Sequence, residues 1–228
     1  METILFDGEL LELPEKQKPP VGEDGSELSA KDIGKLSNPL INTKEATDFI
    51  NGFVHTGGEI KNSVCRCYSP IEGYAFFLKE CFDFYGIVGY VENMSKVWLF
   101  ESSPYVELTQ LENEWYFNKR RIVHEFDKTP ITLLLWFLRS GRFYEYRQFK
   151  SKGMSFDRTV KIHIALQRIG IDCFIKNSSS IYIKEPDYKK FFTYVCEVPF
   201  LIPECFHYKF PDEFIQYNKE WVLSHKQK

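Results

Sequence analysis

Hydrophobic and polar positions divide this chain near residue 42. Between Glu15 and Lys35 no hydrophobic period exists, and Pro14, Pro19, Pro20, Pro39, Gly22 and Gly25 interrupt an acidic background. That pattern predicts an irregular, solvated or partner-draped extension over residues 1–42. From Thr43, a candidate N-cap, a helix is expected over Lys44–Thr56, ending at Gly57-Gly58. Helices are also expected at Gly73–Tyr85 and Phe156–Ile169, the second capped by Ser155, each followed by a glycine. Pro104 and Pro186 sit where further helices could open. After Gly170, Ile171, Cys173, Ile175, Ile181 and Ile183 form one apolar face of a hairpin, which leaves Phe174, Lys176, Tyr182 and Lys184 outward.

The patterns repeat. An ungapped shift of 84 residues lays Gly86-Ile87 on Gly170-Ile171, Tyr90 on Phe174, Asn93 on Asn177 and Ser95 on Ser179. It also lays Trp98 on Tyr182 and Glu101 on Glu185. Upstream, with one residue of slippage, the helix ending at Gly57-Gly58 parallels the one ending at Ser140-Gly141. Extended segments follow at Glu59–Tyr68 and Arg142–Lys150. An α+β fold with two αββαββα units is expected. The division reads as extension 1–42, first repeat 43–117, basic linker 118–128, second repeat 129–210, and a tail or helix at 211–228.

Composition changes this picture only through charge. The net charge of −3 conceals about −6 over residues 1–50, −5 over 51–117, +8 over 118–176 and zero beyond. A strongly basic segment inside an acidic protein suggests a local polyanion surface. No apolar run reaches membrane-spanning length, so no membrane partner is expected. The acidic start lacks the features of a signal or transit peptide, which leaves a cytosolic, organelle-made or processed chain open. The six cysteines lack metal-ligand spacing and read as small buried hydrophobes; neither metal nor cofactor is expected.

Motifs in the second half carry a resemblance. Leu133-Leu-Leu-Trp-Phe-Leu-Arg-Ser-Gly141, Met154-Ser-Phe-Asp157, Ile169-Gly170-Ile171 with Ile181-Tyr-Ile183, and Pro199-Phe-Leu-Ile-Pro203 through Tyr208-Lys209 follow in order. Trp115-Tyr-Phe-Asn-Lys-Arg-Arg-Ile122 stands between the repeats. Together these resemble the LAGLIDADG family, in particular its organellar intron-encoded endonucleases and splicing factors, over about residues 44–210. The resemblance implies saddle-shaped sheets packed through paired motif helices, with an Asp before the last glycine of each motif holding divalent metal. Those positions here are Gly57 and Ser140, with Arg139 adjacent. The expectation is a chain that is not an enzyme and binds nucleic acid without cutting it.

The candidate binding residues are cationic and aromatic. Read as one strand, Arg142–Lys150 puts Arg142, Tyr144, Tyr146, Gln148 and Lys150 on one face and Arg147 on the other. Lys119, Arg120, Arg121, Lys152, Lys176 and Tyr182 complete the set. Cations interleaved with aromatics suit phosphate contact and base stacking. The first repeat is poorer in such residues, which favours lopsided docking on structured RNA over a symmetric grip on duplex DNA. The expected role is a structural RNA-binding component of a mitochondrial ribonucleoprotein, most simply the ribosome, with rRNA as ligand. Neighbouring proteins would contact the acidic extension. Intron splicing is the alternative, and an active DNA endonuclease a further one.

Overall fold

A computed structural model describes residues 3–6, 9–12, 36–117, 120–121, 128–143, 149–151, 156–176 and 180–225. In chain order the first elements are β1 (Thr3–Phe6), β2 (Glu9–Glu12), α1 (Lys44–His55), β3 (Glu59–Lys61), β4 (Val64–Ser69) and α2 (Glu72–Phe84). There follow β5 (Gly89–Asn93), β6 (Trp98–Ser102), α3 (Val106–Trp115), and the short pair β7 (Tyr116–Phe117) and β8 (Arg120–Arg121). The second half runs α4 (Pro130–Ser140), β9 (Gly141–Phe143), β10 (Phe149–Ser151), α5 (Phe156–Arg168), β11 (Cys173–Lys176), β12 (Ser180–Ile183), α6 (Tyr188–Cys196) and α7 (Asp212–His225). The order αββαββα thus occurs twice, as expected. Within the extension, β1 and β2 pair with each other, and a 3-10 turn covers Pro39–Asn42.

The chain divides into two compact units: Met1–Ile4, Leu11–Thr43 and Glu59–Ile122 form one, and Leu5–Leu10, Lys44–Gly58 and Val123–Lys228 the other. The first contains an antiparallel sheet in the order β3-β4-β6-β5, with α2 packed on it. Leu78, Cys81 and Phe82 are wholly buried there, and Phe82 stacks on Phe100 at 4.6 Å. The stretch expected as one extended segment, Glu59–Tyr68, is a hairpin. Asn62 and Ser63 adopt positive φ, and both their N–H groups donate to the Glu112 carboxylate of α3, at 3.1 and 2.9 Å. Two left-handed central residues give a two-residue hairpin whose twist matches the flanking strands, and Asn tolerates that region best after Gly.

The second unit is built on α1 and α4, which pack side by side. Thr129 caps α4 by accepting from the Thr132 N–H, and Pro130 occupies its first turn, so Thr-Pro is a local helix start just ahead of the Leu133–Gly141 motif. Every residue from Ile131 to Arg139 is buried. Phe137 lies at the centre, with Phe191, Phe192 and Phe210 rings at 5.5, 5.5 and 5.0 Å. Helix α7 is tied down by Asn218, which is buried; it accepts from the Ile202 N–H and donates to the Cys196 and Phe200 carbonyls.

The helix pair depends on a missing side chain. A Cβ on Gly52 would stand 2.7 Å from Thr132 Oγ1 and 3.0 Å from Thr132 Cα. The Thr132 hydroxyl meanwhile donates to the Asp48 carbonyl at 3.2 Å. Small residues of this kind let helix backbones approach closely, and overfilling such a contact costs about 1–3 kcal/mol. Gly52→Ala is expected to lower stability by that amount in thermal melts. Adding Thr132→Ala should return part of the loss; a strictly additive double variant would mean the two residues do not press on each other.

The repeat is visible bond for bond at the helix ends. Gly86 and Gly170 both have positive φ, +71° and +78°. Tyr85 and Ile87 N–H donate to the Phe82 carbonyl, and Ile169 and Ile171 to that of Leu166, 84 residues on. These are the same left-handed helix stop. Past the next turn the ungapped shift fails. Gly89 pairs with Ser102, but Cys173, 84 residues on from Gly89, pairs with Ile183, only 81 on from Ser102. The true counterpart of Tyr182 is therefore Glu101, not Trp98, and the Glu101–Glu185 match is accidental.

Candidate nucleic-acid interface

The ends of α1 and α4 are where the family resemblance places metal-binding carboxylates. Gly57 has φ +107°, a conformation only glycine holds without strain. An added Cβ would lie 2.8 Å from Cζ and Nε of Arg139, whose side chain is buried. Ser140 donates its hydroxyl to the Trp136 carbonyl at 2.9 Å. Beside them Lys209, 1% exposed, donates to the carbonyls of Leu138 and Gly141 at 2.8 and 3.0 Å. Two cations thus sit at helix C-termini, where the partial negative charge favours them. These residues do not fit a divalent metal, because they bring positive charge and no carboxylate. Among the described residues no cluster of three or more His, Cys, Asp or Glu forms a metal site elsewhere.

The sheets differ sharply in what one row presents. In the first unit Glu59, Arg66, Glu101 and Tyr90 stand opposite one another across β3, β4, β6 and β5. Arg66 is ion-paired and hydrogen-bonded to Glu101, and the Tyr90 hydroxyl donates to Glu101 at 2.8 Å. Glu101 thus engages both Arg66 and Tyr90. Burial first, and then the bond to Glu101, pushes the Tyr90 phenol up to about 12. With its folded value above the ordinary 10, Tyr90 stabilises the fold fully below pH 10 and loses that contribution as pH rises through 12. Tyr90→Phe should therefore be less stable at neutral pH, with the gap to wild type closing between pH 10 and 12. A gap constant with pH would mean that the Glu101 bond does not hold the phenol neutral.

The corresponding row of the second unit has the opposite character. Segment Arg142–Lys150, expected as a single strand, is two: Arg142 in β9 pairs with Lys150 in β10, and Phe143 with Phe149. Directly opposite residues share a face, so Arg142 and Lys150 fall on one face and Phe143 and Phe149 on the other, as the alternation expects; residues 144–148 lie outside the described residues. In β11–β12, Phe174 pairs with Tyr182. By equivalence with Glu59, Arg66, Glu101 and Tyr90, the second row reads Arg142, Lys150, Tyr182 and Phe174, and β10 does lie alongside β12. The two acidic positions of the first row, Glu59 and Glu101, are matched by a cation, Arg142, and an aromatic, Tyr182.

Of the remaining expected contacts, Arg120 and Arg121 lie in β8, opposite Phe117 and Tyr116. Lys119, Tyr144, Tyr146, Arg147, Gln148 and Lys152 lie outside the described residues, as does the expected cap Ser155. Lys176 and Tyr182 come together: Lys176 Nζ is 5.6 Å from the Tyr182 ring centroid. On the expected apolar face Ile171, Cys173, Ile181 and Ile183 are buried and Ile175 is half-buried; on the other Phe174, Lys176 and Lys184 are exposed and Tyr182 is half-buried. Lys184 is paired with Asp172 at 2.5 Å. Five cysteines are buried; Cys205 is exposed, against expectation, on the 3-10 turn Glu204–Lys209. Pro104 stands one residue before the Tyr105 N-cap of α3, and Pro186 lies in a 3-10 turn leading into α6. The structural role of Lys209 has no local sequence signal, because the carbonyls it reaches lie 71 and 68 residues earlier in the chain.

No family model matches the chain, and no curated protein matches it closely enough to count as a relative. Among solved structures it is similar to the homing endonuclease I-WcaI bound to its DNA recognition sequence, at 20% identity and TM-score 0.54, covering 79% of this chain and 96% of that one. I-DmoI in complex with DNA and Mn matches at 9% and 0.43, covering 65% of this chain and 96% of that one. The N-terminal LAGLIDADG domain of WhiA matches at 13% and 0.44, covering 68% and 87%. The first likeness corrects the expectation that this chain is not an enzyme. The fold it shares is that of a homing endonuclease, and the identities of Gly57 and Ser140 do not decide against cleavage supported by other residues. With the αββαββα unit present twice and its motif helices paired, the chain has the LAGLIDADG fold of the homing endonucleases.

Proposed function

We propose that this protein binds RNA through the sheet of its second repeat, as a component of a mitochondrial ribonucleoprotein, most simply the ribosome. The observation that supports this reading is the contrast between equivalent rows. Glu59, Arg66, Glu101 and Tyr90 carry a net charge of −1, with the one cation already paired to Glu101, whereas Arg142, Lys150, Tyr182 and Phe174 are two cations and two aromatics. A polyanion is attracted to the second and gains little at the first. A symmetric grip on a long duplex would engage both sheets; a one-sided grip suits a folded RNA held among proteins.

Sedimentation of the endogenous protein tests the assignment. Stoichiometric co-migration with mitochondrial ribosomes is expected, and release by high salt but not by ribonuclease would oppose it. Association confined to intron-containing transcripts would replace it with a splicing role. A second reading, binding to a DNA recognition sequence, is favoured by the likeness to I-WcaI, whose structure holds its DNA. Selection from random duplex DNA and from random RNA under one salt condition separates the two. A single enriched duplex sequence, without RNA enrichment, would carry the DNA reading.

A further inference from the structure

We propose that Phe174 and Tyr182 form a stacking seat for an unpaired RNA base, with Lys176 as the cation beside it; this rests on the RNA-binding reading and narrows it to single-stranded or looped RNA. The two rings lie 5.4 Å apart and only 15° from parallel. Phe174 is 44% exposed, although the opposite face of its hairpin is buried around Ile181 and Cys173. Lys176 Nζ stands over the Tyr182 ring. A cross-strand aromatic pair steadies its hairpin, and its outer ring face stays open to a ligand as well. At the equivalent register of the first repeat, Tyr90 and Glu101 are joined by a hydrogen bond, and Glu101 also holds Arg66.

The ligand follows from the chemistry of the surface. Parallel rings offer a flat apolar face, and a base pairs with it only if its own face is free. Bases inside a duplex are already stacked on their neighbours and present edges and phosphates. Unpaired bases in loops and single strands expose a whole face and carry a phosphate within reach of a nearby cation. The surrounding charge agrees. Residues 118–176 sum to +8, and Arg142 and Lys150 stand in register on the hairpin beside β12. An acidic or apolar peptide would not suit that field.

The test uses the full chain and one probe in two states: a mixed-sequence RNA of about 16 nucleotides carrying a fluorescent adenine analogue, single-stranded or annealed to its complement. Wild type should prefer the single strand and quench the analogue by stacking. Phe174→Ala with Tyr182→Ala should weaken single-strand binding roughly tenfold or more, abolish quenching, and leave duplex binding within about twofold. Phe174→Tyr, which keeps an aromatic face at that position, should retain quenching where Phe174→Ala loses it. Thermal melts confirm that the variants fold. Equal losses on both forms, or none on either while Arg142→Ala with Lys150→Ala still weakens both, would overturn the seat and leave RNA binding standing. Wild type binding neither form would overturn both.

Discussion

Replacing Lys209 with methionine should destabilise the second unit by about 2–4 kcal/mol, one of the largest single-residue effects expected in this chain. The ammonium is 1% exposed and donates to the Leu138 and Gly141 carbonyls at 2.8 and 3.0 Å. It also lies 5.4 Å from the Phe206 ring and 5.8 Å from that of Tyr208. Methionine keeps most of the apolar stem and removes the charge. Two buried carbonyls at the end of α4 then lose their donor, and charge-assisted bonds of this kind are worth more than neutral ones. For a protein of this size the midpoint of thermal unfolding should fall by about 5–15 °C. A melt unchanged within about a degree would mean that the carbonyls find another partner at no cost.

The largest effect on binding is expected from removing charge at the second-repeat hairpin. Changing Arg142, Arg147 and Lys150 together to alanine should weaken RNA binding on the order of tenfold to a hundredfold near physiological salt, and lower the slope of log affinity against log salt by about 2. Each phosphate contact releases counterions, so the slope counts contacts while the affinity alone does not. The matching change in the first repeat, Lys61→Ala with Arg66→Ala, should alter the slope far less, because Arg66 is already paired with Glu101. A slope that falls equally for both sets would place the contact symmetrically. Unchanged binding in the triple variant would move it away from this hairpin altogether.

Gly57 and Arg139 change the meaning of the helix ends. A glycine with φ +107° whose missing Cβ is replaced by a guanidinium is not simply an aspartate position left empty. The arginine fills the space and supplies the charge that a helix C-terminus favours. Restoring aspartate at position 57 would force a strained backbone and set the carboxylate against Arg139, so it would make an ion pair before it made a metal ligand.

Much of the fold was legible in local patterns. Glycine stops at Gly86 and Gly170, the apolar alternation after Gly170, and the run Ile131–Leu138 mark elements through short-range sterics and burial, which a linear sequence records directly. The same holds for the repeat itself, whose helix stops agree bond for bond. Register was not legible. The second hairpin is three residues shorter across its turn, and an ungapped shift carries Tyr182 to Trp98 when its partner position is Glu101. Nothing local distinguishes those alternatives, because strand pairing is fixed by contacts between residues far apart.

The sequence alone therefore determined the element order, the internal repeat and the excess of positive charge in residues 118–176, since each depends on residue type and near neighbours. Only the tertiary structure decided that Arg66 is spent on Glu101, that Phe174 and Tyr182 lie ring to ring, and that Arg139 and Lys209 close the ends of the helix pair. Those outcomes depend on which strands meet and how closely two helices approach, and such distances arise when the chain packs against itself.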